Sequence, residues 1–268
     1  MRVRAIWAMC ALVGAVTAVT YWRLPPGATY HFDDTGISGA ASRLISYLNF
    51  PVALIAIALV GAVARGPLAW LAIALCATVA IPGVVDQGDL TASWANLPAA
   101  VGVGLAFWLT WWAPARREPP IGRARRVIII LLALWSVPWM IAATGFYAQD
   151  VPLLGHVIRA RQPTPGEPDL ASVHLGLHEG LFGLMLVITA LLLSARTRPR
   201  LLSLYLALVF CYGVAIAIND GWNEQVIKRG WTSHNIPSVL QPKLSLAWLA
   251  LLVAALLIER FWFSRPRY

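Results

Sequence analysis

The residues best equipped for chemistry gather in one stretch, Val173-His174-Leu175-Gly176-Leu177-His178-Glu179-Gly180. His174 and His178 are four apart, so on a helix their imidazoles share one face and can hold a single divalent metal ion, with zinc the natural candidate. Glu179 follows directly and points about 100° away, as a third ligand, a proton acceptor or an orienting partner. The zinc-protease order places its Glu directly after the first His, and this chain does not follow it. With a metal, the site would acidify a bound water for hydrolysis. Without one, Glu179 and the imidazoles can still move a proton. As a third reading, all three are boundary residues hydrogen-bonded to water and headgroups.

Further carboxylates stand at two other places. Asp86 and Asp89 flank Gln87-Gly88, and Asp220 lies in Asn219-Asp220-Gly221-Trp222-Asn223-Glu224. Each reads as the end of a helix, where an Asp or Asn before Gly is an ordinary stop. Yet carboxylates are poorly placed at the negative end of a helix dipole. They ask for a compensating cation, either a metal or one of Arg159, Arg161, Lys228 and Arg229. The expected assignment makes His174, His178 and Asp89 metal ligands, with Glu179, Asp86 and Asp220 as acid–base or counter-charge groups. Asn49 and Ser46 bring polar groups to similar depth from another helix, and Tyr30-His31-Phe32-Asp33-Asp34 reads as a solvated loop that could add ligands.

The elements that position these residues are membrane helices. Of 268 residues, 59% are hydrophobic and only 12% charged, against about 25% charged in soluble domains. The apolar residues come in blocks of about 18–22, near the ~20 that cross ~30 Å of hydrocarbon as a helix. They do not alternate as barrel strands would. The expectation is an all-α, polytopic transmembrane helical bundle in a single domain. About eight helices are predicted, over 5–22, 42–64, 67–86, 96–115, 127–148, 172–194, 201–219 and 241–260.

Orientation follows from charge, since Lys and Arg accumulate on the cytoplasmic side. With both termini inside, fourteen of the 21 basic residues and only Glu118 and Glu259 among the twelve acidic ones lie in the cytoplasm. All five histidines and the remaining ten acidic residues then face outward. Counting back from Arg196 at 1.5 Å per residue puts His178 and Glu179 about 25–27 Å from the inner edge, just inside the outer boundary. An ionisable group there is expected to face a cavity or a partner. Helices 2, 3, 6 and 7 are accordingly expected to converge at their outer ends. Helix 1 ends at Tyr21-Trp22-Arg23, an interfacial anchor rather than a small-residue cleavage site, and is read as retained.

Several weaker patterns remain. Ala41-Ser42 and Ala171-Ser172 open two helices, and Trp94-Ala95-Asn96-Leu97-Pro98 echoes Trp231 and Asn235-Ile236-Pro237. They hint at a parallel repeat of four helices, 1–126 and 127–268. Gly176, Gly180 and Gly183 form a small-residue stripe that lets a neighbouring helix approach closely. Cys10, Cys76 and Cys211 have no metal-type spacing and read as packing residues. Nineteen of the 21 basic residues are Arg, which with abundant Ala, Val and Gly points to a GC-rich bacterial genome and a plasma-membrane location. Nucleic acid is excluded as a partner because the positive charge is spread over short loops. The partners expected are the lipid bilayer and other membrane subunits. The functions in view are a membrane enzyme acting on a lipidic or small extracytoplasmic substrate, a transporter or channel for protons or small solutes, and an accessory subunit of a membrane complex. The inner helix halves carry almost no ionisable residue, which counts against a transport path.

Overall fold

The computed structural model describes residues 2–23, 36–85, 91–114, 119–144, 152, 180–194, 199–227 and 230–263. The described residues are helical apart from their turns and connections, with no strand among them. The helices are α1 (Arg2–Arg23), α2 (Gly36–Tyr47), α3 (Ala53–Val63), α4 (Pro67–Ala77), α5 (Leu97–Trp111), α6 (Arg123–Ala143), α7 (Gly180–Leu193), α8 (Arg200–Gly221) and α9 (Leu246–Ile258). Five helical stretches are long and apolar enough to cross a bilayer: Arg2–Arg23, Ile37–Val63, Arg123–Ile141, Arg200–Ile227 and Leu246–Phe263.

At the centre stands α7, with thirteen of its fourteen residues buried. A helix apolar on every side belongs inside a protein or in a membrane. Its partner α8 lies against it through Gly183 and Gly213. A Cβ on Gly183 would come 2.5 Å from the Gly213 carbonyl oxygen, and one on Gly213 would come 2.6 Å from the Gly183 oxygen. The small-residue stripe read from the sequence thus marks the tightest helix crossing described here, through its last member. On the periphery the arrangement inverts. Large apolar side chains of α6 and α9, such as Leu131, Leu134, Trp135, Leu249 and Leu256, are about half exposed or more. A face of that kind is suited to hydrocarbon and not to water.

The two ends of the bundle differ in chemistry. At one end Arg125, 3% exposed, gathers three elements. Its guanidinium donates to the Ser194 hydroxyl at 2.6 Å, to the Ser194 carbonyl at 3.1 Å and to the Trp262 carbonyl at 2.7 Å. It also lies 5.0 Å over the Trp262 ring. The carbonyl ends of two helices carry partial negative charge, so a buried cation there is favourable. Arg2 joins this basic end by donating to the carbonyls of Leu192 and Pro119. At the opposite end Thr20 and Arg23 of α1 donate to the carbonyls of Ala143 and Thr144, closing α1 against the end of α6.

Three expectations about individual helices are corrected. Helix 2 is not continuous: it starts at Gly36 and breaks through a π-helical turn, Leu48–Val52. Pro51 supplies no N–H, and it pushes the preceding Phe50 into an extended conformation, φ −142° and ψ 117°. Helix 3 does not reach 86; α4 passes into a 3₁₀ turn, Thr78–Ala80, before Pro82 and Gly83, which has φ +79°. Helix 7 does not stop at Gly221, because the chain remains helical through the π turn Trp222–Ile227. Gly230, at φ +75°, makes the left-handed exit instead. All three cysteines are buried and unpaired, in line with a packing role.

Candidate functional site

At the end of the bundle away from Arg125, three helices meet in a cluster of rings. Tyr47 of α2 lies 5.1 Å from Phe182 of α7, Phe50 lies 6.0 Å from Phe182, and Phe50 lies 6.0 Å from Tyr212 of α8. The Pro51 break gives Phe50 its backbone conformation and places its ring between α7 and α8. Of helices 2, 3, 6 and 7, expected to converge at their outer ends, these ring contacts bring 2, 6 and 7 together and do not include helix 3. Asp86, His178 and Glu179 lie outside the described residues.

Into this apolar cluster α2 inserts a cation. Arg43 is 1% exposed, with its guanidinium carbon 5.3 Å from the Tyr21 ring and 5.8 Å from the Phe182 ring. Two aromatic faces offer cation–π stabilisation of roughly 0.5–2 kcal/mol each. Tyr21 belongs to the interfacial anchor, which sets Arg43 near the membrane boundary, and an ionisable group buried in a membrane helix usually faces a cavity or a partner. The sequence reading missed Arg43: it counted among the outward basic residues but was not singled out. The signal was present, since Arg43 lies within an apolar span, one turn before Ser46 and two before Asn49.

Asn49 is also buried, 1% exposed, at the helix break. Its amide donates to the Ile45 carbonyl at 3.2 Å and to the Asn96 carbonyl at 3.0 Å. That second bond ties the break to the start of α5, where Asn96 Oδ1 accepts from the Ser93 N–H at 2.6 Å. Asn49 Oδ1 itself is buried and has no donor among the described residues. An unmet buried acceptor costs about 1–3 kcal/mol.

The end of α8 supplies a second polar group. Asn219 and Asp220 are 3% and 7% exposed. The Asn219 amide donates to the Ile236 carbonyl at 3.2 Å, and the Trp222 indole donates to the His234 carbonyl at 2.7 Å. Deeper along α8, the Tyr212 hydroxyl reaches the Leu240 carbonyl at 2.6 Å. These bonds lay the segment 234–240 back along α8 and bury Val239 and Leu240. They also explain why Gly221 does not end the helix: the side chains flanking it hold the returning chain alongside.

Of the residues expected to form the site, Asp220 is described and buried. His174, His178, Glu179, Asp86 and Asp89 lie outside the described residues, as do Arg159, Arg161, Lys228 and Arg229. Glu179 immediately precedes Gly180, the first residue of α7. His234 is the one histidine described, and it is exposed. Among the described residues no three His, Cys, Asp or Glu side chains come together as a metal site would require.

Among the described residues, five helical stretches long and apolar enough to span a bilayer and an apolar exterior fit a helical membrane protein. Compared with known protein families, curated proteins and solved structures, the chain matches none.

Proposed function

We propose that this is a plasma-membrane protein with both termini in the cytoplasm, whose working site opens outward beside Arg43 and acts on a lipidic or small extracytoplasmic substrate. The orientation rests on the unequal distribution of arginine. The observation that carries the site is Arg43 itself, a guanidinium held almost wholly out of solvent against Phe182. Phe182 stands three residues after Glu179, one helical turn in sequence. In this reading Arg43 is the compensating cation that the carboxylates call for, and it pairs with Glu179, the proton acceptor. Asp86 and Asp220 serve as further counter-charges, and Asn49 Oδ1 accepts a hydrogen bond from the substrate. A fixed positive charge also disfavours a second cation beside it, so the proton-handling reading is preferred to the metal one. In the metal reading His174, His178 and Asp89 are the ligands.

The test is a double-mutant cycle on the detergent-purified full chain, with elemental analysis of each variant. Arg43→Gln and Glu179→Gln should each destabilise by about 3–5 kcal/mol, the range for leaving one partner of a buried pair alone. The double variant should lose far less than the sum of the two. Additive losses would refute the pairing. Stoichiometric zinc that disappears in His178→Ala would establish the metal reading in its place.

A further inference from the structure

A groove of about 490 Å³ runs between α1, α2 and α5 and shares Tyr47 with the Arg43 cluster. On α1 its wall is Trp7, Ala11, Gly14 and Ala18, which recur at three- and four-residue spacing and so form one stripe. Three of those four are Ala or Gly, which leaves the space open. Tyr47 of α2 and Phe107 of α5 complete the lining. The Tyr47 hydroxyl does not make the groove polar, because it donates to the Cys10 carbonyl at 2.6 Å. Ligand pockets commonly measure about 300–1,000 Å³. From Trp7 to Ala18 the stripe extends about 16 Å. One leaflet of a ~30 Å hydrocarbon core is about 15 Å deep.

One end of the groove carries a cation. Trp7 meets Phe107 edge-on at 5.3 Å, Phe107 stacks on Trp111 at 5.2 Å, and the Arg4 guanidinium lies 5.6 Å over the Trp111 ring. Arg4 falls on the same stripe, one turn before Trp7, and is exposed. A guanidinium stacked on an aromatic face keeps its in-plane N–H groups available to an anion.

We propose that the groove holds one hydrocarbon chain of an anionic phospholipid from the leaflet at the basic end, with the lipid phosphate on Arg4. Charge complementarity selects this occupant over a second copy of the chain. Two parallel copies meeting here would bring their basic ends together, whereas an anionic headgroup neutralises Arg4. The inference requires that the chain span a bilayer, and it is independent of the roles given to Arg43 and Glu179.

The full chain, reconstituted in nanodiscs of phosphatidylglycerol and phosphatidylcholine with the same acyl chains, is re-extracted in neutral detergent, and its retained lipid is quantified by mass spectrometry. The wild type should retain phosphatidylglycerol preferentially. Arg4→Gln should lower that retention about five-fold, the factor that roughly one basic residue near an anionic surface contributes. Arg126→Gln, an exposed arginine whose residue is not part of the groove, should leave it unchanged. Ala11→Phe should displace both lipids by filling the recess. The unfolding temperature in detergent alone checks that each variant is folded, and Arg4→Gln decides the matter if Ala11→Phe is not. Equal retention of the two lipids by the wild type would overturn the proposal, as would wild-type retention by Arg4→Gln. So would rapid disulfide formation between two copies carrying Ala15→Cys, regardless of lipid, because it would put a second copy in the groove.

Discussion

Replacing Gly183 by Ala adds one methyl group at the point where α7 and α8 touch. That methyl would stand 2.5 Å from the Gly213 carbonyl oxygen, 2.9 Å from Ile216 Cγ1 and 3.0 Å from the Ala217 nitrogen. Two of the three neighbours are backbone atoms inside a helix and cannot turn aside as a side-chain end could. To restore ordinary contact the two helices must part by about 0.5–1 Å along most of their crossing, opening gaps on both sides. Overpacking of this kind costs about 1–3 kcal/mol. Gly104→Ala is the matched control. A Cβ there meets nothing within 4 Å, so that change should be neutral or stabilise by up to about 1 kcal/mol through helix propensity. Thermal unfolding of both variants in the same detergent measures the difference. The argument fails if Gly183→Ala is as stable as the wild type, or if the two substitutions destabilise equally, since contact geometry would then have no influence on the outcome.

Other predictions address topology, the basic end and the metal question. Cysteines placed at 116–126 and 196–200 should resist a membrane-impermeant thiol reagent in intact cells, and labelling from outside would reverse the proposed orientation. Arg125→Ala strands the Ser194 and Trp262 carbonyls and should cost about 2–4 kcal/mol, since charge-assisted hydrogen bonds contribute about 1.5–3 kcal/mol each and are not additive. Arg125→Lys should recover less than half of that, because an ammonium cannot fork to two helix ends; full recovery in the unfolding curve would contradict the clamp. If His174 and His178 do ligate metal, content measured by elemental analysis should fall as pH drops through about 6.5, where protons compete for imidazole. A metal content flat across that range would exclude them as ligands.

Much of the architecture is legible in one dimension because the bilayer imposes a one-dimensional rule. A run of about twenty apolar residues must satisfy its own backbone, and a helix does this without any partner. The runs read at 5–22, 127–148, 201–219 and 241–260 therefore overlap the helices found, with starts differing by one to five residues, and the role of Gly183 follows from residue size alone. The rotation of each helix about its axis is a different matter. A soluble helix announces its buried face by a polar opposite face, but α3, α7 and α9 are apolar all round, and nothing in their sequence says which side meets protein. That choice comes from packing, and it decides which of many arginines become structural or functional. Arg125 looks like any other Arg in the sequence, and Arg43 differs only in standing one turn before Ser46 and two before Asn49. Yet Arg43 ends between Tyr21 and Phe182, and Arg125 on two helix ends. The same holds for Gly221, which local chemistry reads as a stop. The bonds from Asn219 and Trp222 to residues 236 and 234 override it, because the returning chain depends on helical side chains to satisfy its carbonyls. Periodicity and hydrophobicity are local sums that a sequence carries openly, whereas a buried charge takes its meaning from neighbours on other helices, distant in sequence.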